Sequence, residues 1–89
     1  LADIVLRGGI ESEKVKALQE KLVIIGLLGT HDVHGRYNNA TQEAVRTFQS
    51  LQQLTQTGIA NQQTQLALSK YAADYMMNHT EFWTVDGTF

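Results

Sequence analysis

The chain has no cysteine and no proline among its 89 residues. The first absence removes disulfide staples and thiol nucleophiles. The second means that every turn must be made by residues such as Gly, Asn and Thr. A surplus of charge of one sign is also missing, since the net charge is −2 and the pI is about 5.8. Nucleic-acid binding draws on a basic stripe. Here Lys14, Lys16 and Lys21 are interleaved with Glu13 and Glu20, which is the pattern of a solvated helix face. No long apolar run exists either. The longest, Leu22 to Leu28, is far short of the roughly 20 residues that span a bilayer. No signal-peptide pattern opens the chain, and Leu1 stands where an intact reading frame has Met, as expected of a processed or excised piece.

What is present suits one small folded domain. Hydrophobic residues make up 43% and charged residues 18%, too apolar and too weakly charged for disorder. Residues 1–11 read as an extended lead-in closed by Gly8-Gly9. Val15, Leu18, Leu22 and Ile25 recur at helical spacing and predict a helix over 13–25, with Ser12 as its N-cap and Gly26 as its left-handed stop. A polar loop over 29–39 leads to a second helix over 40–51, with Val45 and Phe48 on its inner face and Ala44 and Leu51 beside them. Either Asn38 or Asn39 can cap it, and Asn39 with Gln42 has capping-box spacing. A third helix starts near Asn61 and reaches Met77, with Thr64, Leu68, Tyr71 and Tyr75 along one face. The fold class is therefore all-α, a three-helix bundle with a short extended N-terminus and a C-terminal tail. Residues 1–78 are expected to form the domain, and 79–89 a tail or the start of a linker.

Two internal echoes stand out. Val15-x-x-Leu18-Gln19 returns thirty residues later as Val45-x-x-Phe48-Gln49. Gly35-x-Tyr37-Asn38-x-x-Thr41 returns as Gly58-x-Ala60-Asn61-x-x-Thr64. They predict two equivalent units in which a Gly turn leads into an Asn-started helix. Gln19 and Gln49 are expected to hydrogen-bond loop backbone rather than ligand.

In their order, these residues resemble the peptidoglycan-binding domain family over residues 4 to 69. The carriers are Leu6-Arg7-x-Gly9, then Val15, Leu18, Gln19, Leu22 and Gly26, then Gly35, Tyr37, Thr41, Ala44, Val45, Phe48 and Gln49, and finally Leu54, Gly58, Ile59, Thr64 and Leu68. The resemblance implies a three-helix, non-catalytic module that anchors or targets a larger protein, such as a wall hydrolase, to peptidoglycan in the cell envelope, periplasmic or extracellular, or on a phage particle. The same fold also serves as a protein–protein interaction or scaffolding module, the alternative function. Departures from the family pattern lie in the turns. Its two motif aspartates are replaced by His34 and Thr57, and its two Gly-Pro pairs by Asn38-Asn39 and Asn61-Gln62. Asn tolerates left-handed backbone and caps helices, so the fold is expected to survive. The turn chemistry itself is expected to be lost.

Catalytic readings find little support. His31-Asp32-x-His34 gathers three metal-ligand types, but a zinc site needs a further ligand from elsewhere. Ser12, Ser50 and Ser69 sit in helices or caps rather than at a nucleophile elbow. Glu11, Glu13, Glu20 and Glu43 read as exposed acids, not as a pair facing one cleft. No metal or cofactor is expected, and no enzyme activity. For peptidoglycan, a glycan or stem-peptide reader needs amides, hydroxyls, a cation and a flat aromatic. Arg36, Tyr37, Asn38, Asn39 and Gln42 on the first turn, with Thr57 and Asn61 on the second, supply them. The aromatic tail, with Phe82 and Trp83, is the candidate contact to a neighbouring domain or protein.

Overall fold

In the computed structural model the backbone of residues 5–88 and the side chains of residues 5–77 are described. The first helix, α1 (Glu13–Ile24), begins where Ser12 turns extended and its hydroxyl accepts the Val15 amide at 3.3 Å. Glu13 in the first turn and Lys21 in the last complement the helix dipole. Gly26, at φ +84°, ends it. The Gly26 amide reaches Val23 O and the Leu27 amide reaches Leu22 O, so two otherwise orphaned carbonyls are satisfied and Leu27 folds back onto the core.

A 3₁₀ turn at Thr30–Asp32 then leads to α2 (Asn39–Leu51). Asn38, not Asn39, is its cap: Asn38 Oδ1 accepts the Thr41 amide at 3.0 Å. Asn39 becomes the first helical residue, so it cannot also cap, and the Asn39–Gln42 capping box does not form. The helix closes with the same two-bond pattern as α1, Gln53 N to Ser50 O and Leu54 N to Gln49 O. Here the left-handed position, φ +59°, is held by Gln53 rather than glycine.

The last helix, α3 (Gln62–Thr88), starts under an Asn61 cap that accepts the Thr64 amide at 2.9 Å. Its inward face differs from the periodicity reading. After Thr64 and Leu68 the buried position passes to Ala72, while Tyr71 stays exposed with its ring edge-on to Phe48 at 5.8 Å. Leu51 also faces out. The helix does not stop at Met77. Once its first turns are fixed against the bundle, each added residue gains a backbone bond at little cost, and no proline intervenes. The expectations placed on the side chains of Phe82 and Trp83 lie outside the described residues.

Among the described residues no strand forms. Two isolated antiparallel bridges, Leu6–Ala60 and Glu11–Arg36, lace the lead-in segment to both turns. The core gathers Val15, Leu18 and Leu22 from α1, Ala44, Val45 and Phe48 from α2, and Leu68 from α3, with Leu6, Tyr37 and Ala60 closing it.

Within this apolar set lie two fully buried glutamines. Gln19 Nε2 donates to Arg36 O and to Thr41 Oγ1, both at 2.9 Å, while its Oε1 accepts the His34 and Gly35 amides. Gln49 repeats the arrangement. Its Nε2 donates to Thr57 Oγ1, Ile59 O and Thr64 Oγ1, and its Oε1 accepts the Gly58 amide. The sequence echo is thus a physical repeat: a helix-borne amide grips a Gly turn and the threonine of the next helix. Burial of an unpaired amide is costly, so the bonds must all be present together.

Gln19→Leu fills the same space but strands the His34 and Gly35 amides, Arg36 O and the Thr41 hydroxyl. It is expected to cost about 3 kcal/mol or more, against a total stability on the order of 5–10 kcal/mol, read by urea denaturation. In contrast, Gln53→Gly relieves a left-handed side chain and is expected to stabilise by about 0.5–1 kcal/mol, with a Tm rise of about 2–6 °C by differential scanning calorimetry.

Candidate functional site

The first turn is built outward from Gln19. Because that side chain fixes the His34 and Gly35 amides and the Arg36 carbonyl, the side chains of His34 and Arg36 are set on the surface. With Glu11 and Asn38 they line a groove of about 370 Å³. A second hollow of about 360 Å³ shares Glu11 and His34 and adds Glu13 and Lys16 of α1. Arg36 Nη2 stands 3.9 Å from Glu11 Oε1, with the two side chains 68% and 65% exposed. A pair this loose and solvated contributes little to stability and is easily opened by a ligand. In the groove wall, His34 Nδ1 accepts the Arg36 amide at 3.1 Å, and Nε2 lies 3.3 Å from the Asn38 amide nitrogen.

The residues expected to bind are thereby sorted. Arg36 and Asn38 line the groove. Asn39 is exposed on the first turn of α2. Gln42 lies by the second turn, its Cγ packed so closely over Gly58 that a Cβ there would meet it at 2.9 Å. Thr57 is exposed, but its hydroxyl accepts from Gln49 and Ile59. Asn61 spends its side-chain oxygen as the cap of α3.

Tyr37 requires a correction. It is 2% exposed, so its ring has no free face for a sugar or peptide. Its hydroxyl donates instead to Gly58 O at 2.7 Å and ties the first turn to the second. Loss of solvent on burial raises its pKa above the ordinary 10.0, and the Ala60 backbone opposes only part of that. The phenol therefore remains a neutral donor throughout the physiological range.

The loss of turn chemistry expected from the replaced aspartates is also overturned. His34 Nδ1 accepts the amide two residues on, that of Arg36, and Thr57 Oγ1 accepts the amide two residues on, that of Ile59, each at 3.1 Å. A short side-chain acceptor that closes on the backbone two residues ahead is what an aspartate provides in such a turn. Two other residue types fill the role here.

Glu11 and His34 also line the groove, although no sequence pattern marks either as a binder. No sequence signal joins Glu11 to Arg36, because their bridge depends on how the lead-in lies against the turn. The metal-like cluster does not converge: His31 pairs with Asp32 at 3.4 Å while His34 turns to Arg36 and Asn38. Among the described residues no three His, Asp or Glu side chains gather, and no helix is long and apolar enough to cross a membrane.

The sequence model of a family described as "Putative peptidoglycan binding domain" matches residues 11–68. The chain belongs to this peptidoglycan-binding domain family. Solved structures agree with the assignment. The SleB N-terminal domain is 30% identical with a TM-score of 0.74, the match covering 78% of this chain and 93% of that one. A peptidoglycan-binding protein from Clostridioides difficile, in complex with glutamine hydroxamate, is 28% identical with a TM-score of 0.73, over 78% of this chain and 42% of its own. The endolysin of Burkholderia phage AP3 is 35% identical with a TM-score of 0.66, over 73% of this chain and 24% of its own. The chain thus spans under half the length of the last two. No curated protein matches it. Like other members of the peptidoglycan-binding domain family, it is an all-α, three-helix, cell-wall-binding module.

The Tyr37 bond makes a testable link to pH. Because the folded-state pKa is raised, the protonated phenol's contribution is complete below about pH 10 and is lost as pH rises beyond it. Tyr37→Phe is expected to cost about 1 kcal/mol at neutral pH. Its stability should also fall less steeply than that of the parent above pH 10 in urea titrations.

Proposed function

We propose that this module anchors a larger wall-active protein to peptidoglycan, seating a glycan or stem-peptide segment along the first-turn groove. The observation that carries the reading is a shallow polar groove on a member of this family, lined by one cation, one carboxylate, an imidazole and an amide. Arg36 takes carboxylate or N-acetyl oxygens, and Asn38 and Asn39 offer amides at the α2 N-terminus. Gln42, Thr57 and Asn61 extend the contact to the second turn, and Tyr37 holds the two turns in register from below.

The module's work is binding, and any catalysis belongs to other parts of the protein that carries it. It acts in the cell envelope, in the periplasm or outside the cell, or on a phage particle. Residues 1–78 form the module and residues 79–89 a tail or the start of a linker toward a neighbouring domain or protein. A second reading, docking onto a protein partner, is favoured by the exposed apolar side chains Leu66 and Met76 on α3.

The test is sedimentation of the purified chain with insoluble peptidoglycan sacculi, beside Arg36→Ala. Arg36 is a solvated side chain, so the variant should keep its circular dichroism and melting curve. Retention on sacculi that falls severalfold in the variant is the expected outcome. A folded chain that stays in the supernatant sinks the wall-anchor reading and directs attention to the α3 surface.

A further inference from the structure

The two turns use the same backbone bond with different acceptors, and only one of those acceptors can be titrated. At the second turn the Ile59 amide is held by the Thr57 hydroxyl, whose acceptor capacity does not change with pH. At the first turn the Arg36 amide is held by His34 Nδ1. An imidazole accepts only while it is neutral, and histidine is the side chain that ordinarily changes charge between pH 5 and 8.

The surroundings of the ring leave it one state in which this bond exists. Asn38 Oδ1 is taken by the Thr41 amide and hydroxyl, so the face that Asn38 turns to His34 Nε2 is its NH₂. Donors therefore stand against both ring nitrogens. The neutral ring with Nδ1 bare carries its one proton on Nε2, so it keeps the Arg36 bond and makes none to Asn38. The doubly protonated ring presents a proton to the Arg36 amide as well and loses that bond, so it must swing away.

The charges that meet it are the carboxylates of Glu11 and Glu13 and the cations of Lys16 and Arg36. The His31–Asp32 pair lies on the 3₁₀ turn just upstream. Glu11 is the partner of Arg36. A cationic His34 competes for that carboxylate, and so loosens the guanidinium while the Arg36 amide is being uncovered.

We propose that His34 is a proton-operated gate on the groove: its protonation frees the backbone amide and the guanidinium of Arg36 and adds a positive charge beside them, so that carboxylate-bearing ligands bind more tightly in mild acid than at pH 8. The inference rests on the groove being the binding site, as argued above, and it adds the ligand group and its regulation.

The experiment uses the ¹⁵N-labelled chain and His34→Thr, which installs the second turn's acceptor in the first. Between pH 8 and 5.5 the Arg36 amide resonance should shift with a single titration in the parent, while that of Ile59 holds still; in His34→Thr the titration at Arg36 should vanish. N-acetylalanine, a monocarboxylate with one amide, and sacculi are then bound at both pH values. The parent should bind each about two- to fivefold more tightly at pH 5.5, the size of one exposed charge contact, and His34→Thr should show no such ratio. An Arg36 amide that ignores pH, or equal pH ratios in the two proteins, overturns the proposal. If N-acetylalanine follows pH through His34 while sacculi are bound at neither pH, the gate stands and the wall-anchor reading falls.

Discussion

The architecture hangs on two buried primary amides. Gln19 and Gln49 are each almost wholly removed from solvent, and with Thr41 and Thr64 they are the polar side chains buried in a core of apolar ones. Each holds four hydrogen bonds, and these join a helix interior to a turn and to the start of the next helix. An 89-residue chain without disulfides or proline has few other ways to fix loop geometry. A glutamine suits the task because one amide carries both donors and acceptors at fixed spacing. The arrangement is all-or-none, since a half-satisfied buried amide is worse than an apolar side chain. The turns are therefore set by the core rather than by their own residues. This is why their surface residues can differ so much between the two units.

That division explains why the groove lies where it does. The second turn is short, running from Gln49 to Gly58, and it packs inward. Gln42 and Arg46 close over Gly58, Tyr37 takes its carbonyl, and Leu6 pairs with Ala60. The first turn spans Gln19 to Gly35 and includes the end of α1 and a 3₁₀ turn. The extra length leaves His34 and Arg36 standing on the surface against the lead-in segment, and the gap between them and Glu11 is the groove. Two copies of one device thus give one turn packed inward and one whose side chains stand out at the surface.

Much of this was legible in the sequence because it rests on local chemistry. Ser12 and Gly26 mark the ends of α1 through rules of capping. The glutamine and Gly-Asn-Thr echoes announced the repeat, down to the roles of Gln19 and Gln49. What the sequence concealed depends on three dimensions. Asn38 and Asn39 are equally good caps in one dimension, and the choice is made by Thr41, which must reach both the cap and Gln19. Tyr37 carries a hydroxyl that suits a binding surface or a buried donor, and only the position of Gly58 O decides between them. Ala72 replaces Tyr71 in the interior because the ring is better placed edge-on to Phe48 at the boundary. The pairing of Glu11 with Arg36 arises from segments twenty-five residues apart.

The replacement of the two motif aspartates then has a specific meaning. An aspartate at position 34 or 57 would close the turn and bring a negative charge with it. Thr57 closes its turn without charge, and His34 closes its turn without charge when neutral. Beside Arg36 this difference changes the electrostatics of the site. An aspartate there would add a second carboxylate, beside Glu11, to the lining of the groove. With His34 the carboxylate that lines this groove is Glu11, in a loose contact with Arg36 at 3.9 Å. The turn geometry is kept with one carboxylate fewer in the groove. The replacements that look like erosion of the family pattern thus keep both turns closed without an added negative charge, while Gln19 and Gln49 still hold the turns from the core.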